Sequence, residues 1–156
     1  HQKTKPGTLV GQARRDARAY ALMFVDRLMK SKIPRKCIEN PAINFINTAI
    51  RKPDQVIHPN EYGHDASKAT GLWLDNLPKL CPTKIIVPRL VCCGVALDAE
   101  TRCQKCHGEK KPLPRWGNQN DSGQNKLTPS ADRWKDRART YDGWAVAMAE
   151  QWGGLK

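Results

Sequence analysis

A cluster of cysteines near the middle of the sequence constrains the fold more than any other feature. Cys92 and Cys93 are adjacent, and the run Cys103-Gln104-Lys105-Cys106-His107 follows after a spacer of nine residues. Two cysteines separated by two residues can bind the same tetrahedral zinc ion, and a second ligand pair across a short hairpin completes a zinc knuckle or ribbon. The pattern predicts that residues 90–112 form a zinc-binding insertion.

Two ligand sets are compatible with this pattern. Adjacent side chains such as those of Cys92 and Cys93 tend to point apart, so one of them would bind together with Cys103, Cys106 and His107. Alternatively, all four cysteines bind the ion and His107 contacts a phosphate. In both cases four protein ligands close the coordination shell, which favours a structural zinc over a catalytic one.

The absence of a secretory signal in this sequence predicts a reducing compartment. Residues 1–11 are polar and basic and lack the apolar stretch of a secretory signal. No run approaches the roughly 18 apolar residues of a membrane span. In a reducing compartment, clustered cysteines are more often metal ligands than disulfides. We expect a cytoplasmic protein without a membrane partner. Because the sequence does not begin with Met, we also expect that it begins inside a longer chain.

The positive charge of the chain is concentrated in two blocks. The formal net charge is +12, and residues 1–52 carry twelve Lys and Arg against three acidic residues. Residues 102–139 carry ten against four, whereas the intervening segment carries four against six. Basic clusters bind phosphate groups and release counterions when they do so. The charge pattern predicts a nucleic-acid partner.

Hydrophobic periodicity predicts a mixed α/β chain. Apolar residues at three- and four-residue spacing predict a helix from Gln12 to about Lys32. A short strand at Lys36–Ile38 then leads into Glu39 and Asn40, which is typical of the α-to-β step of a Rossmann-like sheet. We therefore assign residues 1–89 to a Rossmann-like α/β part. Further elements are predicted at residues 43–50 (helix), 55–58, 70–74 and 84–87 (strands), and 141–151 (helix capped by Thr140, with Trp144, Met148 and Trp152 in the core).

The last part of the chain, residues 113–156, is predicted to combine a DNA-contacting loop with the C-terminal helix. Its loop is polar, has no clear period, and is rich in side chains that contact nucleic acid. Arginine and amide side chains read base edges, tryptophan stacks on bases, and dense cations bind phosphates. The candidate DNA-binding residues are Arg115, Trp116, Asn118, Gln119, Lys126, Arg133, Lys135, Arg137 and Arg139.

Five segments, which together cover most of residues 12–154, are Ile33–Pro41, Ile50–Ile57, Tyr62–Pro78, Arg115–Lys126 and Asp132–Gly153. In order and spacing they resemble the C-terminal two-thirds of DNA cytosine methyltransferase-like proteins of phages and prophages. The resemblance implies a partial Rossmann-like methyltransferase fold, S-adenosylmethionine as cofactor, DNA as partner, and a phage or prophage origin in a bacterial cytoplasm. It also implies an upstream segment or a second chain that completes the fold. Glu39 and Asn40 would form the catalytic pair, in which Glu39 contacts a flipped cytosine and Asn40 shapes the turn.

The sequence departs from that family in two ways. The family's upstream half carries a glycine loop for the cofactor and a Pro-Pro-Cys nucleophile segment, and neither is found here. Gly71 also stands where relatives are expected to have Cys. The expected function is therefore the DNA-binding part of such a methyltransferase-like protein. The alternative is a non-catalytic, zinc-stabilised DNA-binding module, and a zinc nuclease is disfavoured because only His107 lies near the cysteines.

Overall fold

The computed structural model describes residues 7–97 and 103–155 and shows a mixed helix-and-strand chain with two small antiparallel sheets. The first sheet has the strand order β1-β3-β2, and the second has the order β5-β4-β6. The elements are α1 (Gly11–Met29), β1 (Lys36–Pro41), α2 (Ile46–Ala49), β2 (Gln55–Ile57), a 3-10 turn (Pro59–Glu61), β3 (Thr70–Asp75), β4 (Arg89–Cys92), β5 (Val95–Leu97), β6 (Leu113–Arg115), α3 (Arg133–Ala138) and α4 (Asp142–Trp152).

The first sheet is built around β3, whose first four residues are buried. Both neighbours pair with it in the antiparallel sense, with Glu39 opposite Leu72 and Asn40 opposite Gly71 on the β1 side. A Rossmann-like sheet consists of parallel strands joined by crossover helices. The connections 42–54 and 58–69 contain only the four-residue α2 and a 3-10 turn. The expectation of a mixed α/β chain is confirmed, but the described residues do not show the Rossmann-like sheet.

The main core lies between the first sheet and α4. Trp144 and Ala147 of α4 are fully buried against Ile57, Leu72 and Leu80. Met148 and Trp152 pack against the same cluster, so the predicted core role of the C-terminal helix is confirmed. The helix is also tied down at its end, because the Trp152 indole donates a hydrogen bond to the carbonyl of Pro78 at 3.1 Å.

The first helix is close to its predicted bounds but has no buried residue. The apolar face that the spacing predicts includes Tyr20, Phe24, Val25 and Met29. Tyr20 and Phe24 are 77% and 58% exposed, whereas Val25 and Met29 are half-buried, as is Leu22. The Arg18 guanidinium lies 3.5 Å from the centroid of the Phe45 ring, which precedes α2. The apolar periodicity therefore predicts the helix correctly, but only part of its predicted apolar face is covered.

Two smaller details of the chain differ from expectation. The predicted strand at residues 84–87 is wrong: Lys84 forms one isolated bridge with Tyr62, and Ile85 and Val87 are exposed. Two short elements, β6 and α3, occupy the stretch that lacked a clear period.

Across the described ranges, every helix is too short or too polar to cross a membrane.

Candidate metal centre and candidate nucleic-acid cleft

Four cysteine thiols come together beside the second sheet. The Sγ atoms of Cys92, Cys93, Cys103 and Cys106 all lie within 4.8 Å of one another. Those of Cys92 and Cys106 are 3.5 Å apart, and those of Cys92 and Cys93 are 3.9 Å apart. Four sulfur atoms at about 2.3 Å from a tetrahedral zinc ion are about 3.8 Å from each other. The cluster therefore fits a metal ion such as zinc.

A tight turn explains how two adjacent cysteines reach one site. Cys92 pairs with Val95 across a two-residue hairpin loop formed by Cys93 and Gly94. Both loop residues have positive φ angles, 53° and 74°, as a type I′ turn requires. Because the turn twists the backbone between them, the side chains of Cys92 and Cys93 do not point apart. The premise that adjacency would exclude one of them is wrong.

The structure distinguishes between the two predicted ligand sets. The four cysteines form the cluster, and His107 is not part of it. His107 follows Cys106 with a φ of 47°, and its side chain is exposed. The geometry therefore favours four thiolate ligands, with His107 outside the coordination shell. Its suggested contact with a phosphate stays a prediction.

The electrostatics of the cluster also fit a bound cation. Hydrogen bonding from the backbone of Lys110, assisted by Gly108, lowers the pKa of the Cys106 thiol to about 6. Burial, together with hydrogen bonding to its neighbours, raises the pKa of Cys92 to about 12. Without a cation, these crowded thiols cannot all ionise, whereas a divalent metal stabilises every thiolate that it binds. Four protein ligands would leave no open position, so the centre suits a structural role.

A second candidate site is a cleft with two adjoining lobes. The strand-end lobe, of about 740 Å³, is lined by Glu39, Asn40 and Lys68 together with the α3 residues Trp134 and Arg137. The helix lobe, of about 560 Å³, is lined by His64, Lys126 and Asp142. Both volumes are typical of small-ligand pockets. The two lobes share Asn118, Asn125, Leu127, Asp136, Arg139 and Tyr141.

The cleft brings together residues that are far apart in the sequence. Glu39 and Asn40, the two predicted catalytic residues, lie near the end of β1, which runs to Pro41 and forms an edge of the first sheet. Arg137 and Arg139, two predicted phosphate contacts, line the same strand-end lobe. Two further predicted DNA contacts, Asn118 and Lys126, line the cleft walls. The structure therefore places a carboxylate, amides and cations around one cavity.

Three predicted DNA-binding residues hold the polar loop in place, namely Asn118, which also lines the cleft, Gln119 and Arg115. The Asn118 amide both accepts from the backbone N–H of Ser67 and donates to its carbonyl, at 3.1 and 3.0 Å. The Gln119 side chain accepts from the N–H of Trp116, and the Arg115 guanidinium donates to the carbonyl of Asp121. Backbone groups in such a loop need partners, and these side chains supply them.

The two remaining predicted contacts belong to the start of α3. The Arg133 guanidinium donates to the carbonyl of Leu127 at 2.6 Å. Lys135 forms an exposed ion pair with Asp132 at 2.8 Å. Neither residue lines the cleft. Their contacts hold the short helix α3, from which Trp134 and Arg137 reach the cleft wall. The contact of Arg133 and Lys135 with DNA stays a prediction.

Three side chains are notable among the cleft residues that sequence reasoning missed, namely Lys68, Trp134 and Tyr141. Lys68 lies with its Nζ 5.9 Å from the Tyr141 ring. Trp134 stands within the basic run of α3, and only its cationic neighbours were selected as candidates. Tyr141 was assigned to the start of the last helix. An exposed aromatic residue inside a basic run is a signal that could have identified Trp134, because bases stack on such side chains.

His64 also has a role that the sequence did not predict. Its Nε2 accepts the backbone N–H of Gly143 at 2.9 Å, and its ring packs edge-on against Tyr141 at 5.1 Å. Thr140 was expected to cap α4, but the capping position is Tyr141, which makes no side-chain cap. A histidine distant in sequence therefore satisfies a free N–H at the start of α4.

Comparison of the chain with protein-family models, curated proteins and solved structures finds no match.

Proposed function

We propose that this chain is a zinc-stabilised DNA-binding part of a cytosine methyltransferase-like protein, and that DNA binds in the cleft. The observation that carries the proposal is the convergence of Glu39 and Asn40 with Lys68, Arg137 and Arg139 on the strand-end lobe. Arginine and lysine bind phosphate oxygens, whereas carboxylates and amides recognise base edges. A cleft with both sets suits a nucleotide of a DNA strand.

The charge of the cleft is consistent with this role. Lys68, Lys126, Arg137 and Arg139 line its two lobes, against the carboxylates Glu39, Asp136 and Asp142. The cations outnumber the acidic groups locally, and the chain as a whole carries a net charge of +12. Such a field attracts DNA and makes its binding sensitive to salt. Glu39 is then available to hydrogen-bond the polar edge of a base, as the resemblance implies.

The residues described do not fit S-adenosylmethionine. In Rossmann-like folds that cofactor class binds beside a glycine-rich turn at the carboxyl ends of parallel strands. Both sheets here are antiparallel, and the cleft is lined by the end of β1, loop residues and α3, with no glycine-rich turn at the ends of parallel strands in the described ranges. We therefore propose that the cofactor and the nucleophile come from an upstream segment or a second chain.

A non-catalytic DNA-binding module remains a second candidate, favoured because no cysteine of the described ranges lines the cleft. The two candidates differ in one measurable property when the upstream segment or second chain is supplied, namely the transfer of a labelled methyl group from S-adenosylmethionine to unmethylated duplex DNA. Transfer by the completed protein that is lost on Glu39→Gln would support the methyltransferase. Salt-sensitive DNA binding by the completed protein without transfer would support the module.

The proposal predicts a localised charge effect on DNA binding. The double change Arg137→Gln and Arg139→Gln removes two cations from the strand-end lobe. Each lost phosphate contact makes the slope of log K against log salt less steep by about one. The double variant should therefore have a slope that is less steep by about 2, and its affinity should be lower by about tenfold or more. Fluorescence anisotropy with a labelled duplex at several salt concentrations measures both quantities.

A matched control removes the same charge elsewhere. Arg14 and Arg27 lie on α1, are exposed, and do not line the cleft. The double change Arg14→Gln and Arg27→Gln should therefore leave most of the affinity and the salt slope intact. Equal losses of DNA affinity in the two double variants would mean that binding depends on the net charge of the chain, and the cleft would not be the binding site.

A further inference from the structure

Trp134 stands apart from the other tryptophans of the chain. Trp73 and Trp144 are buried, and Trp116 and Trp152 are half-buried, whereas Trp134 is 67% exposed. A tryptophan left in solvent gives up the large stabilisation that burial of its ring would provide. The position of this ring, on the wall of the strand-end lobe, suggests that a ligand covers it.

The helix that carries Trp134 is fixed by its neighbours and not by the ring itself. Arg133 is bonded to the carbonyl of Leu127, and Lys135 is paired with Asp132. The Lys135 ammonium lies 5.7 Å from the centroid of the Trp134 ring. The indole is therefore presented from an anchored turn of helix, with much of its surface free to contact a ligand.

The other groups of the lobe define what such a ligand must contain. Asn40 and Glu39 offer an amide and a carboxylate, which suit the polar edge of a base. Arg137 and Arg139 offer cations for the phosphates on either side. An aromatic face, a polar edge and cations within about 740 Å³ match the three parts of one nucleotide.

A protein partner fits this lobe less well. Exposed tryptophans also anchor protein interfaces, but the centre of such an interface is depleted of charged side chains. Here Trp134 shares a concave lobe with Lys68, Arg137, Arg139 and two carboxylates. The surroundings therefore favour a charged nucleotide over an apolar protein surface.

We propose that Trp134 is a stacking platform for an unpaired base, so that the cleft prefers single-stranded or extrahelical nucleotides to a fully paired duplex. The inference rests on the proposed DNA binding, in which Glu39 meets a flipped cytosine, and adds the side chain on which that base stacks. A paired base cannot use this platform because its faces are covered by the neighbouring base pairs. An unpaired base can lie on the indole while its edge faces Asn40 and Glu39.

The test compares the affinities of a single strand, a matched duplex, and the same duplex with one unpaired cytosine. The wild-type chain should bind the single strand and the duplex with the unpaired cytosine more tightly than the matched duplex. Trp134→Ala should weaken binding to those two by about 5- to 150-fold, the range expected for one lost base stack, and change matched-duplex binding little. Trp134→Phe should retain most of the affinity. Tyr20→Ala, which removes a 77% exposed aromatic ring from α1, should have no effect.

A spectroscopic signal separates stacking from a general structural role. With 2-aminopurine at the unpaired position, the wild-type chain should quench the probe by stacking, and Trp134→Ala should abolish the quenching without changing thermal unfolding. If Trp134→Ala binds the unpaired probe as tightly as the wild type, or weakens all three DNAs equally, the stacking inference is wrong while DNA binding stands. If the wild-type chain shows no salt-sensitive binding of any DNA, the proposed function itself fails.

Discussion

Treatment with a zinc chelator is expected to unfold the second sheet and to weaken DNA binding, because the four-cysteine centre would then lack the metal ion that its geometry fits. The buried cluster beside that sheet consists of Cys92, Cys103 and Cys106, with Cys93 and Leu97 packed against it. Three short strands with so small an apolar core do not stabilise themselves. Binding of structural zinc contributes about 10–16 kcal/mol in small zinc-binding peptides, which is enough to decide whether such a unit folds.

The effect should reach the cleft because the second sheet holds one of its walls. Arg89 at the start of β4 and Arg115 at the end of β6 both bond to Asp121 in the polar loop. The same loop is attached to the connection between β2 and β3 by a hydrogen bond from the N–H of Gly117 to the carboxylate of Asp65 at 2.8 Å. Loss of the metal would release one of these attachments and loosen the wall that contains Lys126.

Metal analysis and a binding titration test this expectation together. The purified chain should contain one zinc ion, and a chelator should remove it, lower the thermal stability and weaken duplex binding. Cys106→Ser should have the same effect, whereas Cys81→Ser, a change at an exposed cysteine outside the cluster, should have none. A metal-free chain with unchanged melting and unchanged DNA affinity would show that the cluster has no structural role.

Replacing Gly143 by alanine is expected to destabilise the chain by about 3 kcal/mol or more. A Cβ atom at this position would lie 1.9 Å from the carbonyl oxygen of Tyr62 and 2.9 Å from Nε2 of His64. Relief of the overlap requires α4 to move, which loosens Trp144 in the core and breaks the hydrogen bond to His64. Alanine is otherwise the better helix former by about 1 kcal/mol, so without the close approach the change would stabilise α4.

Thermal unfolding provides the measurement, with Gly154→Ala as the matched control. No heavy atom lies within 4 Å of a Cβ built at Gly154, so this variant should remain within about 0.5 kcal/mol of the wild type. For a chain of this size, 3 kcal/mol corresponds to a fall in melting temperature of roughly 6–12 °C. A Gly143→Ala variant as stable as the Gly154→Ala variant would show that α4 does not dock so closely on Tyr62.

Sequence periodicity was sufficient to locate the long elements of this fold. The apolar spacing in α1 and α4 and the short apolar runs of β1, β2 and β3 led to nearly correct bounds. Local patterns of this kind carry no information about strand direction, because each strand pairs with a partner distant in sequence. The antiparallel arrangement around β3 was therefore missed, and the Glu39–Asn40 step was interpreted as part of a parallel sheet.

The candidate sites were predictable to different degrees for a physical reason. The cysteine cluster is mostly local in sequence, so its spacing alone indicated a metal site. The spacing does not predict the turn at Cys93 and Gly94, whose positive φ angles let Cys92 and Cys93 reach the same site. The cleft depends on contacts between distant segments, such as Asn118 with Ser67 and His64 with Gly143. The sequence alone therefore does not distinguish the side chains that hold the loop, such as Arg115, from those of the same chemistry that line the cleft, such as Arg137.

Hydrogen–deuterium exchange of the zinc-loaded chain, with and without DNA, tests the central claim most directly. We predict that DNA slows amide exchange in three segments that line the cleft, residues 39–41, 67–69 and 133–141, and leaves the exchange of α1 unchanged. Protection restricted to α1, with no change in these three segments, would contradict the assignment of the cleft as the DNA-binding site.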